Sequence, residues 1–217
     1  MYNESLQMRM EEIAAVMSLS GKKTLVGFQE DKQISQQKLW DACCGLMRDG
    51  MLTQIDGKFR LRRDVMAIMQ PICQARSVLA LTPASDLFSQ LMIYAADTAT
   101  VVKKTPFGYQ SLTSATCKEL PELLSNHLQL KDPEIETTQE DVPPEVTVTE
   151  DSSHEELLSG AQFLLERLDP ETGGCTCWLR MVQQGVLSWL QWPEKGKIES
   201  IPYTAQTLQE RIKALLS

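Results

Sequence analysis

Apolar residues recur at helical spacing in the first third of the chain. Leu6, Met10, Ile13 and Met17 stand at i, i+4, i+7 and i+11 and predict a helix over 6–20 that stops at Ser20-Gly21. Ser35 reads as an N-cap for a second helix running to Arg48, with Leu39, Cys43, Leu46 and Met47 on one face and Gly50 as its stop. The pattern then changes period. Residues 51–55 read as a strand, Asp56-Gly57 is a type I′ hairpin signal, and 58–62 return with alternating basic and apolar residues. A third helix follows over 64–76, with Val65, Ile68, Met69 and Ile72 on one side; if it is continuous, it bends at Pro71.

From there the chain repeats itself. The stretches 77–128 and 164–216 share a layout: Pro83 and Pro170 follow a short apolar run, Pro106 and Pro193 a second, and Gly108 and Gly196 mark the turn after it. Leu120, Leu124 and Leu128 in one closing helix match Leu208, Ile212 and Leu216 in the other. In the first copy, 77–81 is a strand, 82–85 a turn, 91–95 and 98–103 a hairpin, and Ser114 or Thr116 the cap of a helix to His127. In the second, 163–168 is a strand, 175–183 and 186–192 a hairpin, and Thr204 the final cap. Each copy has a leading helix, 64–76 and 153–162, the latter behind a capping box at Ser152 and Glu155. The expected architecture is therefore α+β: a winged-helix-like segment over 1–63, then two α-β-β-β-α units over 64–130 and 153–217, related by a pseudo-twofold and forming antiparallel sheet with helices packed on it.

Charge separates the two units. Residues 131–156 hold ten acids and one base, so the net charge of −8 belongs to this segment and the remainder sums to +1. With Pro133, Pro143 and Pro144 and few large apolar residues, 131–152 reads as an acidic mobile linker, in which Val146–Thr149 could add an edge strand. The chain opens with no basic head and apolar run, and no window has membrane-spanning length; this predicts a cytoplasmic chain without membrane insertion.

Catalytic motifs are missing from the sequence: no Gly-rich phosphate loop, no GxSxG, no HExxH and no DxDxDG. His127 and His154 fall in unrelated contexts. Cys175 and Cys177 form a close pair without a second pair to complete a zinc site, and strand alternation would put both on one side of a sheet as buried thiols. No enzyme activity, metal or cofactor is expected. Two binding surfaces are. Trp178, Trp189 and Trp192 crowd one predicted hairpin and are candidate protein-binding residues, since tryptophan is enriched at interface hot spots. Lys58, Arg60, Arg62 and Arg63 would line the returning strand of a wing and are candidates for nucleic-acid contact. Against DNA, residues 1–70 carry ten bases and nine acids, a weak electrostatic footprint.

The run LWDACCGLMRDGMLTQIDGKFRLRRDVMAIMQPI (39–72) and the close GVLSWLQWPEKGKIESIPYTAQTLQERIKALL (185–216), set in a duplicated sheet, resemble the EspG family of type VII (ESX) secretion-associated proteins. The resemblance implies a cytosolic, non-enzymatic adaptor or chaperone whose partner is a helical secretion substrate. The acidic segment has no obvious counterpart in that family.

Overall fold

The computed structural model describes residues 5–22, 26–27, 34–85, 90–105, 108–130 and 143–216; the first part of the acidic linker, 131–142, lies outside the described residues, as does Pro106. Its frame is one antiparallel sheet of nine strands. In chain order these are β1 (Ser5–Arg9), then, after a separate hairpin of β2 (Leu52–Ile55) and β3 (Lys58–Leu61), β4 (Ser77–Pro83), β5 (Leu91–Ala95), β6 (Ala99–Lys104), β7 (Tyr109–Ala115), β8 (Ala161–Leu168), β9 (Cys175–Gln184), β10 (Leu187–Glu194) and β11 (Lys197–Pro202). Among the described residues six helices accompany them: α1 (Met10–Leu19), α2 (Gln36–Arg48), α3 (Arg63–Cys73), α4 (Leu120–His127), α5 (His154–Leu158) and α6 (Ala205–Leu216).

The spatial order β1-β7-β6-β5-β4-β8-β9-β10-β11 places the two copies back to back. Their first strands, β4 and β8, pair antiparallel from Val78 opposite Leu168 to Pro83 opposite Phe163. Each copy then adds strands outward by short hairpins. The duplication therefore appears as a two-fold-like arrangement about the β4–β8 seam. Strand alternation distributes side chains to two faces. Leu79 and Leu81 of β4, with Phe163 and Leu165 of β8, face α4 and α6, whose Leu120, Leu124, Leu208 and Ile212 close this layer across both copies. Val78 and Ala80 face the other way, into a core with α1, α2 and α3 that covers the first copy.

Several local expectations hold. Ser35 Oγ accepts from the Lys38 amide, Thr204 Oγ1 from the Thr207 amide, and Asp56 and Gly57 both have positive φ (51° and 75°), as a type I′ turn requires. Helix α3 continues through Pro71, which is buried near its end. Others are corrected. Leu6 lies in β1, not in the first helix: Ser5–Arg9 pair with β7 and bury Met8 opposite Gln110, so edge pairing overrides the helical spacing. Each copy carries four strands, because β7 and β11 follow the Gly108 and Gly196 turns where no strand was expected. The predicted turn at Thr82-Pro83 is the end of β4; proline is tolerated at this terminal position. Glu119, not Ser114 or Thr116, precedes α4, since Ser114 pairs with Thr100 and the Thr116 hydroxyl donates to the Glu119 carboxylate. The capping box before α5 is Ser153–Glu156, one residue later than predicted, and Gly160 at φ 71° ends that helix early, so Ala161 enters β8. Val146–Thr149 form no strand.

Buried polar pins fix α3 and the α1 layer to the sheet. Thr100 Oγ1 donates to the Ile68 carbonyl at 2.6 Å, and the Tyr94 hydroxyl to the Val26 carbonyl at 2.6 Å. Burial pushes the Tyr94 phenol well above its ordinary pKa.

Two outcomes follow from this packing. Leu81, 1% exposed and opposite Leu165 at the seam, should cost about 2–5 kcal/mol when changed to Ala. Urea unfolding of that variant and of the parent should remain a single transition; separate transitions for the copies would contradict a shared core. Thr100→Val, which removes one buried donor without changing shape, should cost about 1 kcal/mol by the same measurement.

Candidate protein-binding surface

The three clustered tryptophans are core residues in this fold. Trp178 (2% exposed), Trp189 (3%) and Trp192 (7%) occupy two opposite faces of the sheet. Trp178 packs with Leu164 and Leu157, and Trp189 with Ala161 and Val182. Trp192 faces the other layer, where the Arg211 guanidinium lies 3.9 Å from the ring centroid and its Nε1 donates to Glu194 at 3.0 Å. Arg211 also reaches Glu194, so the indole is locked between α6 and the β10–β11 turn. The three rings form no common patch.

The hairpin cations divide into two pairs. Residues Leu52, Phe59 and Leu61 turn toward the core, which leaves Thr53, Ile55, Lys58 and Arg60 on the outward side. Lys58 and Arg60 have no ion-pair partner among the described residues. Arg62 donates to both oxygens of Asp64, at 2.7 and 2.8 Å, and holds that carboxyl below its usual range. Arg63 opens α3 and is exposed.

Large apolar side chains left open to solvent point elsewhere. Of the six described residues in this class, Leu19, Trp40, Ile55 and Met66 all belong to the N-terminal layer, on α1, α2, β2 and α3; Val146 and Val186 are the others. Trp40 is the largest and is 57% exposed. Sequence reasoning missed it: Leu39, Cys43, Leu46 and Met47 define the inward stripe of α2, and Trp40 falls at the margin of that stripe, next to Met47 on the helix surface. An exposed tryptophan on a rigid helix gives a large apolar contact with little entropy to lose on binding.

Other chemistry is sparse. A cleft of about 710 Å³ opens where β4 ends and β8 begins, beside the C-terminus of α4, and its lining includes Pro83, Ser85, His127, Gln162 and Phe163. His154 is elsewhere, bonded through Nδ1 to Glu166 at 2.7 Å. No cluster of three metal-ligating side chains occurs among the described residues. Cys175 and Cys177 do not share a side of the sheet: a register shift puts Cys177 opposite Arg167 and Cys175 opposite Leu168, whose packing belongs to the other face. No helix is long and apolar enough to cross a membrane.

No family model and no curated protein matches the sequence. Among solved structures, the chain is similar in fold to the Mycobacterium tuberculosis type VII secretion system chaperone EspG5, determined in complex with a PE25–PPE41 dimer. The match has a TM-score of 0.54 at 8% identity and covers 98% of this chain and 96% of that one. The likeness is one of fold.

The cysteines give a pH-dependent test. Although Cys175 is an exposed residue, partial burial of its sulfur, with the nearby Glu166 carboxylate, pushes its thiol up to about 11. Thiolate, the reactive form, is therefore scarce at neutral pH. Alkylation of Cys175 at pH 8 should run about tenfold slower than in the unfolded chain, the scarcity of thiolate being partly offset by the greater nucleophilicity of a more basic sulfur, and should accelerate as pH rises toward 11. Mass-resolved labelling with iodoacetamide checks this; rapid labelling at pH 7 would contradict the assigned environment.

Proposed function

We propose that this chain is a non-enzymatic, cytoplasmic protein-binding adaptor of the chaperone kind, serving a helical substrate of type VII secretion. The observation that carries the reading is the match of nearly its whole length to the fold of a secretion chaperone that was solved with its protein partner bound. Shape alone would leave the binding face open. Trp40 supplies one: it is solvent-facing and fixed on a capped helix, with Ile55 and Met66 exposed on the following elements. In this reading the apolar side chains give affinity, and Lys58 and Arg60 orient a partner that carries acidic residues.

The same two cations support a second reading, contact with DNA through the wing. Two unpaired cations on one strand are few for a phosphate-driven interface, in which several neutralised phosphates supply most of the affinity. The adaptor reading accounts for the exposed apolar residues as well.

Co-purification from the native host should return a helical secreted protein. Trp40→Asp should weaken its capture about 30-fold or more while leaving the circular dichroism spectrum unchanged. Lys58→Ala with Arg60→Ala should have a smaller, salt-sensitive effect. Full-strength capture by Trp40→Asp would remove this surface from the proposal. A steeply salt-dependent shift of duplex DNA, lost in the double variant, would favour the wing reading.

A further inference from the structure

The two copies differ in what covers the sheet face opposite α4 and α6. In the first copy that face lies under α1, α2 and α3. In the second, the described cover is residues 143–153, which have no regular structure, and the five-residue α5. Val148 and Leu157 are its buried side chains, set against Leu164 and Trp178.

Three polar ties hold this segment down. Trp178 Nε1 donates to the Glu150 carbonyl at 3.4 Å, His154 Nδ1 meets Glu166 at 2.7 Å, and Arg180 Nη1 donates to the Leu157 carbonyl at 3.2 Å. The last is unusual in its charge balance. Arg180 is 3% exposed, and its Nε and Nη2 both donate to Gln191 Oε1, at 2.9 and 2.8 Å. Among the described residues its hydrogen-bond partners are thus neutral oxygens, while the neighbouring Glu166 on the same face is engaged by His154. A buried guanidinium is best met by a carboxylate, which forms shorter, stronger bonds than a carbonyl.

We propose that residues 143–158 are a displaceable strap that covers a docking face made of Leu164, Trp178, Arg180 and Gln191, and that an acidic amphipathic segment of a protein partner takes its place. This rests on the adaptor reading above. The strap itself shows which chemistry the face accepts: two apolar side chains, here Val148 and Leu157, in a segment whose Glu150, Asp151, Glu155 and Glu156 remain in solvent. A partner that also brings a carboxylate to Arg180 gains an interaction the strap lacks. Ordering an irregular segment for two buried side chains and three ties leaves little net stability, so it can open while the sheet stays folded.

The test needs no natural partner, so its failure is distinguishable from failure of the adaptor reading. In the full chain, hydrogen exchange at the Leu157 and Ser159 amides should be at least a hundredfold faster than at Leu165 and Leu179 in the sheet. A fluorescein-labelled peptide of sequence 143–160 should bind Val148→Asp/Leu157→Asp at least tenfold tighter than the parent, whose own strap competes. Should that variant misfold, Ser153→Ala/His154→Ala removes the cap and one tie without touching the core and should show the same preference. Strap amides protected as strongly as the sheet would overturn the proposal. So would equal peptide binding to parent and loosened variants, or binding to neither.

Discussion

Everything in this molecule hangs on the pairing of β4 with β8. Those strands are the first of their copies, and their antiparallel ladder turns two four-stranded sheets into one. The ladder also aligns the faces. Leu79, Leu81, Phe163 and Leu165 project to the same side, so α4 and α6 meet over a single apolar layer in place of two small ones. A half-chain of this size alone would bury a smaller fraction of its surface than the whole chain does and be marginally stable; the joined sheet gives each half the other's core.

On the opposite side the symmetry lapses. One half carries a thick layer whose inward stripes, such as Ala42, Cys43 and Leu46, are well buried and whose outer surface presents Trp40. The other half carries a thin cover of acidic chain over a buried arginine. A symmetric scaffold thus supports two unlike surfaces, one fixed by packing and one held by a few ties.

The sequence revealed the duplication, the hairpin at Asp56-Gly57 and most strands because each rests on local signals: proline and glycine at a constant offset, a turn dipeptide, a two-residue period. What it concealed depended on tertiary partners. Leu6 fits a helical stripe equally well, and its place in an edge strand is decided by β7. Tyr109–Ala115 reads as a polar run because its alternating residues Gln110 and Leu112 face the core while the intervening ones do not. The tryptophan hairpin was found but its exposure could not be read, since strand residues on either face can be covered by helices added later in the fold. Trp40 was missed for a related reason: helical spacing puts it at the margin of the inward stripe of α2, beside Met47, where burial and exposure are both compatible with the pattern. The bulge that separates Cys175 from Cys177 left no mark in the spacing.

The seam has one more implication, in terms of ancestry. An antiparallel strand pair with the same helix on the same face of each half is the geometry by which two identical half-chains would associate as a closed two-fold dimer. In such a dimer every addition to the protomer is made twice. Once the halves share a covalent chain, one can acquire α1, α2 and a hairpin while the other acquires an acidic segment, with no obligation to copy either change. Fusion across β4 and β8 is thus a route by which a symmetric oligomer becomes a single chain able to specialise its two ends independently.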